Sequence, residues 1–370
     1  MCIHGGDVYR NHVDLDFSIN VNPLGAPVAV QEALRGAAAL CGRYPDIEAK
    51  QLKRAVSDML AVPEEKLLFG NGASELLMAV VHAIRPRKTV IPVPSFYGYE
   101  HAARAAESEI VYYAQERVRK LADLESVPGL IAAGQETFFD ITEELCDALT
   151  DDVDMLFLAN PNNPTGNLLH KKCLKKLLAY CRERGIYVVL DECFIEFCGS
   201  SFSMLSEVAA GEYDNLILVR AFTKIFSIPG VRLGYLLCSD GLLLERIRGQ
   251  LPEWNLSCFA QEAGIACARQ ADFITRTQAY VSGERQFLSE GLRRKGYLVF
   301  PAMANFILIY VRGDSLYENL LQKGILIRDC SNFRGLGSGF YRVAVRTRME
   351  NEMLLCACPQ VGEGETTAKW

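Results

Sequence analysis

The sequence has little that would take it to a membrane, a nucleic acid or a metal. Across its 370 residues no apolar run approaches the roughly 20 residues needed to cross a bilayer. Met1 to Asn20 has no basic flank leading into a long apolar core. A net charge of −6 is spread without a block of one sign, which excludes a nucleic-acid footprint and a polybasic membrane patch. The histidines number five and are dispersed, and the 13 cysteines include no CxxC pair, only the CxC of Cys356 and Cys358. No metal site is expected from that set. Many thiols, Cys181, Cys193, Cys238 and Cys267 among them, sit inside apolar segments. Such an odd, scattered count fits reduced thiols in a cytoplasmic protein better than a disulfide framework. There is no internal repeat.

What is present is ordinary globular material. Half of the residues are hydrophobic and 23% are charged, enough for one large core and a smaller one. The turn-rich residues 1–27 read as an N-terminal arm. Helices are expected over Val28 to Leu40 and from about Ala49 to Met59. From residue 66 apolar bursts of strand length alternate with helical stretches. The strands are Leu67 to Phe69, Val90 to Val93, Ile110 to Tyr113, Met155 to Ala159, Ile186 to Leu190, Leu216 to Val219 and Leu233 to Cys238. The helices run over Ser74 to Ile84, from Tyr97, from Thr142 and over His170 to Arg184. Continuous apolar strands separated by helices predict an α/β domain over 28–250, with a mostly parallel seven-stranded sheet covered on both faces. Residues 251–361 read as a smaller C-terminal α+β domain with strands Phe306 to Val311, Ile325 to Arg328 and Tyr341 to Val345. Residues 115–137 are irregular and read equally as a surface excursion or a flap, and 362–370 read as a disordered tail.

Ligands of such sheets bind at the carboxyl ends of the strands, and those ends carry the chemistry. After the first strand comes Gly70-Asn71-Gly72-Ala73-Ser74, a glycine turn opening a helix whose free N–H groups suit a phosphate. Taken alone it is no more than a helix cap. Phe96, after the second strand, can stack on a planar ring, although an aromatic there is more often core. Asn163 lies in Asn160-Pro161-Asn162-Asn163-Pro164-Thr165-Gly166 and offers an amide. Asp191 follows Val188-Val189-Leu190, and a carboxylate leaving a doubly buried strand needs a cationic partner. Lys224 and Arg232 stand eight positions apart between short apolar segments, which reads as strand, loop, strand with the lysine in a cleft. Most lysines are solvated, but one beside apolar walls and a second cation loses proton affinity and can form a Schiff base with an aldehyde.

The ordered set Gly72-Ala73-Ser74, Phe96, Asn163-Pro164-Thr165-Gly166, Asp191, Lys224 and Arg232 resembles the fold-type-I aminotransferase superfamily, whose cofactor is pyridoxal 5′-phosphate. The resemblance implies that Lys224 bonds the cofactor, Asp191 keeps its ring nitrogen charged, Asn163 bonds the ring hydroxyl and Phe96 stacks on the ring. Gly72, Ala73, Ser74 and Arg232 would hold the phosphate. Ala221 stands where relatives place a serine or threonine, so Thr223 or nothing supplies that contact. Tyr44, in the Arg43-Tyr44-Pro45-Asp46 turn, is similar to the tyrosine that such enzymes send into a neighbouring subunit, which implies a homodimer.

Within the superfamily the chain resembles the branch holding histidinol-phosphate aminotransferases and threonine-phosphate decarboxylases, with the decarboxylase pattern the nearer. His4-Gly5-Gly6, the stretch Phe17 to Gly25, and Phe194 where many aminotransferases have a tyrosine carry that likeness. It implies decarboxylation of L-threonine O-3-phosphate, or a close phosphorylated amino acid, to 1-amino-2-propanol phosphate for the cobalamin linker. Arg342 would bind the substrate carboxylate with Arg328 beside it, and His4 and Asn22 the substrate phosphate. A histidinol-phosphate aminotransferase is the first alternative and a non-catalytic cofactor-binding regulator the second.

Overall fold

The computed structural model describes residues 5–118, 138–312 and 315–361. His4, the tail 362–370 and most of the 115–137 excursion lie outside the described residues. The excursion's flanks do lie inside them, and they pair as a short antiparallel ribbon with Glu116 opposite Asp140.

All seven expected strands form: β1 (Leu67–Gly70), β2 (Lys88–Val93), β3 (Glu109–Ala114), β4 (Met155–Ala159), β5 (Tyr187–Asp191), β6 (Leu216–Ala221) and β7 (Gly234–Cys238). They make one sheet in the order β1-β7-β6-β5-β4-β2-β3, parallel except for β7. Helices α1 (Val28–Ala37), α2 (Lys50–Leu60), α3 (Ala73–Ile84), α4 (Tyr97–Ala105) and α5 (Lys171–Glu183) follow the expected periodicity. Val188, Val189 and Leu190 of β5 are fully buried, because helices cover both faces of the sheet. Each such side chain contributes about 1.5–3 kcal/mol.

Because β7 runs antiparallel, its start lies at the edge where the other strands end. Gly234 pairs with both Ala221 and Gly70, and Asp191 pairs with Ala159. That register brings the segments after β1, β4, β5 and β6 and the segment before β7 to one edge of the sheet.

Three local expectations are corrected. The helix expected from Thr142 is a short 3-10 segment, Glu143–Ala148, whose single buried anchor, Leu145, cannot sustain an amphipathic face. Lys224 sits in a helical turn, Phe222–Ile225, not in a loop. Phe222 and Phe226, four apart with ring centroids at 5.6 Å, are both buried and draw the chain into that turn. The strand expected over Ile325 to Arg328 is split between two sheets. Ile325–Leu326 pairs in parallel with Leu15–Asp16 of the arm, while Arg328–Asp329 joins the C-terminal sheet.

That second sheet is antiparallel and contains β8 (Leu298–Val299), β9 (Phe306–Tyr310), β10 (Arg328–Asp329) and β11 (Phe340–Ala344), in the order β8-β9-β11-β10. A break at Pro252 separates helix Gly241–Arg248 from helix Cys258–Ala268, which packs on α1 and α2. The 24-residue helix Ala271–Arg294 then leads to β8. Among the described residues no helix is long and apolar enough to cross a membrane, and no cluster of three or more His, Cys, Asp or Glu could hold a metal.

Candidate active site

A cavity of about 920 Å³ opens at the carboxyl edge of the central sheet, with walls from both sheets. The end of it suited to an anion is built on glycine. Gly72 precedes α3 with φ +83°, and a Cβ there would lie 2.5 Å from Nη2 of Arg232. Only glycine lets the guanidinium reach the backbone at the mouth of the helix. Gly234 repeats the device, since its Cβ would stand 2.6 Å from the Ala73 nitrogen. The first N–H groups of α3 have no intrahelical partner, so Ala73, exposed Ser74 and Arg232 together form a cradle for a dianion.

The opposite end is anionic. Asp191 ends β5, and its Oδ2 accepts from the Tyr99 hydroxyl at 2.7 Å while Oδ1 accepts from the Cys193 N–H at 2.9 Å. Tyr99 is buried, stacked on Phe157 at 5.1 Å and edge-on to Phe96 at 5.7 Å. Burial, then the Asp191 charge, pushes the Tyr99 phenol well up, so it stays a donor. Phe96 lies against Gly98, where a Cβ would come within 2.2 Å of its ring.

Lys224 lines the same cavity. Burial first, then the Arg342 and Arg232 cations, lowers its amine, while Cys193 and Asp191 work the other way. The direction favours a neutral, nucleophilic Nζ.

From the C-terminal domain come Arg328 and Arg342, directly opposite each other on β10 and β11. Arg342 is buried, which pushes its guanidinium down to about 10, and it donates to Asn163 Oδ1 and, at 2.8 Å, to the Ser18 carbonyl. Arg328 donates to Asn332 Oδ1 at 2.8 Å.

Of the residues singled out in the sequence, Ala73, Ser74, Phe96, Asn163, Asp191, Thr223, Lys224, Arg232, Arg328 and Arg342 all line this cavity, with Gly72 behind Arg232. Asn22 does not. Its amide donates to the Ile225 carbonyl at 2.7 Å and to Thr277 Oγ1 at 2.9 Å, and its Oδ1 accepts from the Leu24 N–H. With its polar atoms committed to the protein and 1% exposure, it has nothing left for a substrate. Asn20, two residues earlier, does line the cavity, and with its amide oriented oxygen-inward Oδ1 accepts from the Arg342 guanidinium at 3.2 Å. Tyr44 lies away from its own chain's cavity, 80% exposed and with its ring 5.0 Å from Trp254. Sequence reasoning passed over Tyr99. Its position three residues after Phe96 at a helix start was the available signal.

The donor set fits pyridoxal phosphate. A cradle that excludes even a Cβ suits the phosphate, a carboxylate held from two sides suits a charged ring nitrogen, and the lysine lines the same cavity within electrostatic reach of Arg232 and Asp191.

The family model for aminotransferase class I and II matches residues 13–358. The threonine-phosphate decarboxylase of Salmonella typhimurium is 33% identical over 353 residues, which cover 95% of this chain and 92% of that protein. The structure of the histidinol-phosphate aminotransferase from Clostridium acetobutylicum superposes with a TM-score of 0.82 at 31% identity, covering 93% of this chain and 98% of that one. The Sinorhizobium meliloti histidinol-phosphate aminotransferase, in complex with pyridoxal 5′-phosphate, is alike in fold, with a TM-score of 0.79 at 20% identity over 97% of this chain and 94% of that one.

Proposed function

The chain belongs to the aminotransferase class I and II family, and from that premise we propose that it decarboxylates L-threonine O-3-phosphate, or a close phosphorylated amino acid, to 1-amino-2-propanol phosphate. It is a pyridoxal-phosphate-dependent enzyme of that family. The observation that supports the proposal is the cross-strand pair Arg328 and Arg342, both lining the cavity. Two guanidiniums there suit a substrate with two anionic groups, a carboxylate and a phosphate. Histidinol phosphate itself has only the second, and of the aminotransferase's substrates only 2-oxoglutarate would engage both guanidiniums.

When bound, pyridoxal phosphate supplies the electron sink for the bonding pair left at the substrate's Cα. Gly72, Ala73, Ser74 and Arg232 would hold its phosphate, with Thr223 beside them, Asp191 would keep its ring nitrogen charged, and Phe96 would pack against the ring. Arg342 would bind and orient the substrate carboxylate, while Arg328 would meet the substrate phosphate. Phe194, edge-on to Phe306 at 5.1 Å, offers no hydroxyl and helps keep water from the reacting carbon. Carbon dioxide leaves, and Nζ of Lys224 or a water returns a proton to Cα. A homodimer that buries Tyr44 against a second copy's phosphate site belongs to the same reading, as do a cytoplasmic location and a supply of product to the cobalamin linker.

The test is incubation with L-threonine O-3-phosphate without a keto-acid acceptor. Carbon dioxide equimolar with aminopropanol phosphate is expected. The 31% identity and close superposition with the Clostridium acetobutylicum aminotransferase favour a second reading. Turnover only with histidinol phosphate plus 2-oxoglutarate would establish that one instead.

A further inference from the structure

Cys41 and Cys258 stand 217 positions apart in sequence, yet their sulphur atoms lie 4.0 Å from each other. Cys41 follows the 3-10 turn Ala38–Leu40 that extends α1, and Cys258 opens the helix Cys258–Ala268 packed on α1. Both thiols are directed at one acceptor, the Ala37 carbonyl, at 3.9 and 3.7 Å, so the side chains converge. Cys41 is exposed and Cys258 half-buried. Cys181, Cys193, Cys238, Cys267 and Cys330 differ, being sealed in the core where burial pushes their thiols up.

Two further contacts join the same pair of segments. The Tyr44 and Trp254 rings lie 5.0 Å apart, and the Gln261 amide donates to the Asp46 carbonyl at 2.7 Å. A covalent link at Cys41 would therefore fix the Tyr44 turn on the Trp254 segment, which one tilted ring contact and one hydrogen bond now join.

We propose that Cys41 and Cys258 form a dithiol–disulfide pair, a modification site for small-molecule disulfides such as oxidised glutathione, which staples the Tyr44 turn to the Trp254 segment. The Cys41 thiolate attacks one glutathione sulphur, and the glutathione S–S bond breaks with release of one glutathione thiolate. The Cys258 thiolate then attacks the Cys41 sulphur of the mixed disulfide and expels the second glutathione thiolate. The protein dithiol loses two electrons and two protons, and the glutathione disulfide takes up both pairs as two thiols. Closing the sulphurs to bonding distance needs about 2 Å of movement, within the reach of side-chain rotation between helices already in contact. Partial desolvation and the neighbouring thiol raise the Cys41 thiol, so the exchange runs faster at mildly alkaline pH.

The experiment treats the full-length, cofactor-loaded protein with oxidised glutathione at mildly alkaline pH, followed by intact mass and peptide mapping. The expected product has lost the mass of two hydrogen atoms, carries the Cys41 and Cys258 peptides joined, melts several degrees higher and reverts with dithiothreitol. Cys41→Ser and Cys258→Ser should each prevent the link, while Cys356→Ser, at an exposed thiol elsewhere, should leave it intact. A persistent glutathione adduct on one cysteine, a covalent dimer, or both thiols still open to alkylation would overturn the proposal. None of these readouts involves a phosphorylated substrate, so this inference and the catalytic reading fail separately.

Discussion

The Tyr99 hydroxyl donates to Asp191 Oδ2 at 2.7 Å from a fully buried ring. The carboxylate at the cavity wall is thus held by the first turn of α4 as well as by its own chain at Cys193. Tyr99→Phe keeps the ring stack on Phe157 and removes the donor. A hydrogen bond to a charged group is worth about 1.5–3 kcal/mol. The variant should fold, bind pyridoxal phosphate roughly tenfold or more weakly, and shift the pH titration of its visible absorbance. Equilibrium dialysis and a spectral titration measure both, and unchanged values would leave Tyr99 a packing residue.

Lys224 carries a pH signature in the cofactor-free protein. Its amine is lowered in the folded state, so between the folded and unfolded values the unfolded chain binds more protons. Stability should therefore rise with pH through that window. Lys224→Met, which removes the penalty, should melt above the parent near neutral pH, and the gap should narrow as pH climbs. The same variant should show no visible band with pyridoxal phosphate and no fixation of it by borohydride.

Asn20 and Asn22 should separate cleanly. Asn22→Ala strands Thr277 and the Ile225 carbonyl in the interior, which costs about 1–3 kcal/mol in a denaturant titration. Its KM should stay near the parent value. Asn20→Ala removes the contact with Arg342 and should raise KM severalfold with little change in the unfolding midpoint. The reverse pattern would return Asn22 to the substrate site.

Gly72→Ala drives a methyl into the Arg232 guanidinium and strains a residue at φ +83°. Cofactor content after gel filtration should fall steeply while the secondary structure, read by circular dichroism, is kept.

Glu196 tests the ground beneath the site. Burial, opposed by Arg220, pushes its carboxyl up to about 7, and its Oε2 has no hydrogen-bond partner. A raised folded value means that the folded state holds the proton longer, so stability falls as pH rises from the ordinary carboxyl range to about 7. Glu196→Gln should match the parent in acid and melt above it beyond neutrality. Parallel melting curves at all pH values would remove Glu196 as the titrating group.

The order of elements was written in the sequence because hydropathy is local. Uninterrupted apolar runs such as Val188 to Leu190 announce strands buried on both faces, and glycine, Asp191, Lys224 and Arg232 stand at their ends. Residue type and chain order were therefore enough for the sheet, the cofactor class and most of the cavity wall. Which polar atoms remain available was not legible there. Asn20 and Asn22 are alike as residues, and only the packing of the arm against Thr277 and Ile225 uses up one and leaves the other to Arg342. The split of Ile325 to Arg328 needed a distant partner, Leu15–Asp16, and the hold of Tyr99 on Asp191 joins residues 92 positions apart. Such relationships arise when the chain closes on itself, because a hydrogen bond depends on distance and direction in space and not on separation along the sequence.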